Sequence, residues 1–134
     1  MGRSPVISSE ISIAASTAQV WDVITNPEYA QELGNAFDTN AYLDSDWQLG
    51  SKVHFKYTTG GIVATGKVTK RVDRKLIQVD YNFDGMAYVE KFNLSGGDYG
   101  STLQVFSGPY GEDVDAQKIV WKNWLQKVKE LSEQ

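Results

Sequence analysis

Ile77-Gln78-Val79-Asp80-Tyr81-Asn82-Phe83-Asp84-Gly85 decides how the rest of the chain is read. Ile77, Val79, Tyr81 and Phe83 alternate with Gln78, Asp80 and Asn82, the period of a strand with one wet and one covered face. Asp84-Gly85 then supplies the dipeptide that tight hairpins favour, because both central positions of such a turn need positive φ. The pattern continues on either side. Tyr88, Phe92 and Leu94 share one parity after the turn; Gly96-Gly97 turns the chain again, and Leu103 and Val105 follow. Upstream, Val53, Phe55 and Tyr57 oppose Lys52, His54 and Lys56, Gly60-Gly61 marks a turn, and a strand over 62–72 ends at Asp73-Arg74-Lys75. From Phe37 to Ser107 the period of two predicts a meandering antiparallel sheet.

Such a sheet needs a cover for its apolar face. The C-terminal segment provides one, with a helix expected over 111–132. Val114, Val120, Trp121, Trp124, Leu125, Val128 and Leu131 fall on one arc at helical spacing, and Ile119 alone on the far side. Glu112 and Asp113 at its start and Lys127 and Lys129 near its end suit the helix dipole. The N-terminal third adds a strand over 6–14, with Ile7, Ile11 and Ile13 on one parity. Ser16 or Thr17 caps a helix carrying Val20, Trp21 and Ile24. Asn26-Pro27 interrupts that helix, and Pro27 opens a second short one ending near Leu33-Gly34. Strand, two short helices, several antiparallel strands and a long helix make an α+β sandwich.

Composition agrees. The chain has 134 residues, a length that suits one domain over 1–134. Cysteine is absent, so a disulfide framework and thiolate metal ligation are both excluded. The net charge of −4 disfavours a nucleic-acid partner, which would be held by Lys and Arg on phosphates. Lys67, Lys70, Arg71, Arg74 and Lys75 form a local basic cluster, read as a solvated outer face. No apolar run reaches the length of a spanning helix, so membrane insertion is not expected. Met1-Gly2 opens a myristoylation pattern, but Val6 stands where Ser or Thr is needed. The N-terminus lacks the continuous apolar stretch of a secretion signal, so a cytoplasmic location is expected.

Several segments resemble the START-like (SRPBCC), or helix-grip, superfamily, and the likeness runs over nearly the whole chain. They are Val20-Trp21-Asp22-Val23-Ile24-Thr25-Asn26-Pro27-Glu28, Asp46-Trp47-Gln48-Leu49-Gly50-Ser51, Gly66-Lys67-Val68 ahead of Arg74-Lys75-Leu76, Gly100-Ser101-Thr102-Leu103 and Trp121-Lys122-Asn123-Trp124-Leu125. Within the superfamily the chain is most similar to bacterial relatives of the heat-shock-protein ATPase activator and to polyketide cyclase-like proteins. Glu32-Leu33-Gly34-Asn35 departs from the pattern, since relatives often place a tryptophan there. The resemblance implies a curved sheet wrapped around the long helix, with a cavity between them that relatives use for lipids, hormones, pigments or polyketides. A subset of those relatives are enzymes.

Parity then names the residues that would face such a cavity. Phe55, Tyr57, Val79, Tyr81, Tyr88 and Phe92 look in from the sheet, and Trp121 and Trp124 answer from the helix. Aromatic faces with a polar tip suit a flat or amphiphilic ligand; any single one of these residues is better read as core, and a cavity lined by the set as a whole is what the resemblance implies. Two polar residues interrupt the apolar faces. Glu90 shares the parity of Tyr88 and Phe92, and Gln117 lies within the apolar arc of the helix. A carboxyl facing an apolar space would have a raised pKa and could move a proton or anchor a ligand; at a rim it would simply reach water or a cation. Gln117 could orient a ligand or face the opening. The lone His54 points outward, no carboxylate spacing matches a calcium loop, and no Ser sits in a nucleophile elbow. No metal and no cofactor is expected. The leading expectation is a binding module for a small hydrophobic or amphiphilic molecule. The alternatives are a cyclase- or dehydratase-type enzyme using Glu90 or a cavity tyrosine, and a co-chaperone-like domain with a chaperone partner.

Overall fold

The computed structural model describes residues 7–38, 40–83, 86–108 and 114–134. Its elements run β1 (Ile7–Ile13), α1 (Thr17–Thr25), a single 3-10 turn (Pro27–Tyr29), α2 (Ala30–Gly34), β2 (Ala41–Asp44), β3 (Lys52–Tyr57), β4 (Ile62–Val72), β5 (Leu76–Phe83), β6 (Met86–Gly96), β7 (Ser101–Gly108) and α3 (Val114–Ser132). All strands join one seven-stranded antiparallel sheet of order β1-β7-β6-β5-β4-β3-β2. The sheet is a curved half-barrel with α3 on its concave side, the helix-grip α+β arrangement. The expected Asp84-Gly85 turn and the expected helix start at Gly111–Asp113 lie outside the described residues.

Local chemistry explains where the helices begin and stop. Ser16 caps α1, its hydroxyl accepting from the Gln19 amide at 3.1 Å. Asn26 ends α1 in extended backbone, as expected of a residue before proline, and its side chain accepts from the Glu28 amide at 3.0 Å to cap the next turn. Val20, Trp21, Val23 and Ile24 are the buried face of α1. The short α2 lies almost in contact with β2. A Cβ on Gly34 would stand 1.9 Å from the Ala41 carbonyl oxygen, so no side chain fits there. That close approach accounts for the absence of a larger residue at this point of the chain.

Alternation carries through the sheet as expected. Val53, Val68, Ile77, Val79, Tyr81, Phe92, Leu94, Leu103 and Val105 are all buried, and α3 sets Trp121, Trp124, Leu125, Val128 and Leu131 against them. Each buried tryptophan removes about 200 Å² from water, roughly 5 kcal/mol of apolar transfer before entropy is subtracted. Ile119 faces water, as its angle on the helix requires. Glu133, just past the helix, accepts from the Ala14 amide at 2.8 Å and pairs with Lys129, fastening the end of α3 to the β1–α1 corner.

Two readings need correction. Phe37 is no strand residue; it sits in the turn after α2, its amide bonded to the Gly34 carbonyl. Arg71 does not share the solvated face of its basic neighbours. A register shift between Val68 and Lys70 leaves Thr69 unpaired and flips the parity, so Arg71 lies opposite the buried Ile77. Its guanidinium stacks 5.4 Å from the Trp21 ring centre, and its Nε donates to the Trp47 carbonyl at 3.0 Å.

Candidate functional site

The cleft between sheet and helix is assembled from five places in the chain. The α2–β2 connection brings Phe37 and Asp38, and β2 brings Leu43. Strand β3 adds Phe55 and Tyr57, β6 adds Tyr88 and Glu90, and α3 closes the space with Gln117, Val120 and Trp121. Its volume is ≈ 260 Å³. Packing holds the walls in place. Phe37 meets Trp121 edge-on at 5.0 Å and lies 5.9 Å from Phe55, which in turn meets Tyr57 edge-on at 5.9 Å. The Tyr57 hydroxyl donates to Asp38 Oδ2 at 2.7 Å, which keeps the Tyr57 pKa above its usual value.

Of the residues singled out from sequence, Phe55, Tyr57, Tyr88, Glu90, Gln117 and Trp121 line this cleft. Tyr81 lies behind Tyr88, the two rings stacked at 4.8 Å and 8°. Its ring also covers Gly66 of the neighbouring strand, where a Cβ would come within 2.7 Å of it. Val79, Phe92 and Trp124 belong to the packed core instead. Val79 is fully buried, and the Phe92 ring lies 5.1 Å from Trp124 and 5.9 Å from Trp121. Trp124 also borders a smaller space of ≈ 90 Å³ under α1 and α2, separated from the larger cleft by Phe37 and Leu43. Alternation and helical spacing find the residues on regular elements. They do not find Phe37, Asp38 and Leu43, which come from a turn and a four-residue strand with too few positions to show a period.

Glu90 is the chemically distinctive residue. Strand pairing sets it between Val79 of β5 and the fully buried Ser107 of β7. It is 8% exposed, and its Oε1 has no hydrogen-bond partner among the described residues. Burial pushes its pKa up to about 8, and hydrogen bonding from Tyr81 offsets only part of that rise. At neutral pH the carboxyl is therefore mostly protonated, able to donate as well as accept. His54 stays on the outer face, Nδ1 3.1 Å from Thr65 Oγ1. Among the described residues no cluster of His, Asp or Glu could hold a metal ion, and no helix is long and apolar enough to cross a membrane.

This half-barrel gripping a helix over a lined cleft is the architecture of a known family. Residues 4–131 match the model of the family described as polyketide cyclase / dehydrase and lipid transport, and the chain belongs to that family. Among solved structures, protein MLL2253 from Mesorhizobium loti superposes with a TM-score of 0.76 at 16% identity, covering 95% of this chain and 96% of that one. The Aha1 dimer from Colwellia psychrerythraea gives 0.73 at 20% identity, with 96% of each chain covered. DynU16, from the dynemicin biosynthetic locus, gives 0.74 at 19% identity over 93% of this chain; the chain spans only 46% of that longer protein. At such identities the likeness is one of fold. Among curated proteins no sequence matches this chain.

Proposed function

We propose that this protein holds a small amphiphilic molecule in the cleft between the sheet and α3, its apolar part against the aromatic walls and its polar part at Glu90 and Gln117. One observation carries the reading. A volume of ≈ 260 Å³ stays open beside a buried carboxyl, while Val79 and Phe92 on the same face of the sheet are packed over. A purely structural interface would have filled that space, because protein interiors pack to crystal-like density. Native mass spectrometry of gently purified protein tests it: a bound small molecule is expected, and Gln117→Trp, which fills the cleft, should displace it. Protein without any adduct, and with thermal stability indifferent to a panel of lipids and aromatic ketones, would remove the basis for this role.

The raised pKa of Glu90 favours a second reading, a cyclase- or dehydratase-type proton transfer on the bound molecule. A carboxyl whose pKa lies near working pH is suited both to give and to take a proton. Glu90→Gln should then spare affinity and abolish turnover. Unchanged turnover would exclude Glu90 as the proton carrier.

A further inference from the structure

We infer that the cleft is selective for a ligand carrying a protonated amine, its cationic head seated against Glu90 and its apolar body against Phe55, Tyr88 and Trp121. The inference rests on the cleft being a binding site and adds the charge class of what it binds.

The lining is one-sided in charge. Among the described residues it contains two carboxyl side chains, Asp38 and Glu90, and not one Lys, Arg or His. Three basic residues of the sheet are held elsewhere, and Lys52, Lys118 and Lys122 are exposed and outside the lining. Lys56 pairs with Asp44 at 2.6 Å, Lys91 lies 5.7 Å from the Phe106 ring, and Arg71 is held by Trp21 and Trp47. A carboxylate-bearing ligand would meet no counter-ion among the described residues of the lining. Buried ionised groups persist only where they are paired, so an unpaired ligand carboxylate is unfavourable there. The counter-ion that Glu90 lacks among the described residues is what an ammonium would bring, and Oε1 has no hydrogen-bond partner among them to give up first. The remaining walls reinforce the choice. Five aromatic rings, those of Phe37, Phe55, Tyr57, Tyr88 and Trp121, line the space, and an aromatic face attracts a cation. Asp38, held by the Tyr57 hydroxyl on the exposed side, adds a second negative centre for approach.

A proton accompanies the binding. Among the described residues, the titratable groups that face Glu90 are Tyr81 on β5 and Tyr88 on β6, with Tyr57 and Asp38 across the cleft; α3 and β7 present the neutral Gln117 and Ser107. Below about pH 8 the empty carboxyl is mainly neutral. An arriving ammonium favours its ionised form, so the proton leaves to solvent as the amine binds.

The test uses three probes of matched shape, 4-phenylbutylamine, 4-phenylbutanol and 4-phenylbutyrate, titrated calorimetrically into the wild-type chain. The amine should bind at least about tenfold more tightly than the alcohol, the acid weakest of the three. At pH 7, titrations in buffers of different ionisation enthalpy should show nearly one proton released with the amine and none with the alcohol. Glu90→Gln should remove the preference, bringing the amine down to the affinity that the same variant shows for the alcohol. The exposed Asp38→Asn gives a smaller loss, about two- to threefold, confined to the amine, and serves if the buried variant fails to fold. Alcohol or acid binding as tightly as the amine would overturn the charge assignment while leaving a binding cleft in place. Binding of none of the three would overturn the charge assignment and the binding role together.

Discussion

Replacing Glu90 by Gln should change how stability depends on pH, and by an amount the structure fixes. In the unfolded chain Glu90 titrates near 4.5; in the native cleft burial holds it at about 8. Between those values the native state retains a proton that the unfolded state has released. Stability therefore falls as pH rises, by about 1.4 kcal/mol per pH unit for one such group, and the fall ends once the native carboxyl also ionises. Over the whole interval this comes to about 5 kcal/mol, a large part of the stability of a domain this size. The amide of Gln has nearly the same shape and no charge to bury, so the variant loses this slope. Urea unfolding of ligand-free wild type and Glu90→Gln, from about pH 5 to about pH 8, should give curves that diverge steadily, the variant gaining relative to wild type towards high pH. Asp46 and Glu133, whose pKa values are lowered by hydrogen bonds, titrate on the acid side, but both are present in each protein and cancel in the difference. Two curves that stay parallel across the range would refute the claim that Glu90 is buried without a counter-ion.

Arg71→Ala should destabilise by about 2 kcal/mol, through the lost hydrogen bond to Trp47 and the lost stacking on Trp21, whereas the solvent-facing Lys70→Ala should fall within about 0.5 kcal/mol of wild type. Chemical denaturation of the two variants measures this, and equal losses would mean that the register shift in β4 does not turn Arg71 inward. Gly34→Ala should cost about 3 kcal/mol or prevent folding, because the new methyl collides with backbone rather than with a movable side chain; the midpoint of thermal unfolding reads it directly. Trp124→Ala should cost about 3–5 kcal/mol in stability without directly removing a wall of the larger cleft, while Gln117→Trp should leave the unfolding midpoint nearly unchanged and fill that cleft.

The sequence by itself determined everything that depends on repetition. A period of two gave β3 to β7 their inner faces. A period of 3.6 chose the buried stripe of α3, and Ser16 and Pro27 placed the breaks around the short helices. It also placed Glu90 and Gln117 on the covered faces, because an intruding polar residue stands out against a regular pattern. Tertiary structure decided what has no period. The register shift that turns Arg71 inward follows from how β4 meets β5, not from the composition of β4. Phe37, Asp38 and Leu43 enter the cleft because the chain reverses tightly after α2, where Gly34 lets two backbones nearly touch. Which aromatic residues line the opening and which close the core was likewise settled in three dimensions. Tyr88 and Phe92 share one parity on one strand, yet only Tyr88 borders open space, because α3 brings Trp124 down onto Phe92 and leaves the ground above Glu90 uncovered. Periodicity fixes the direction in which a side chain points. How far away the opposing surface lies is set by the packing of elements distant in sequence, and that distance separates a core from a cavity.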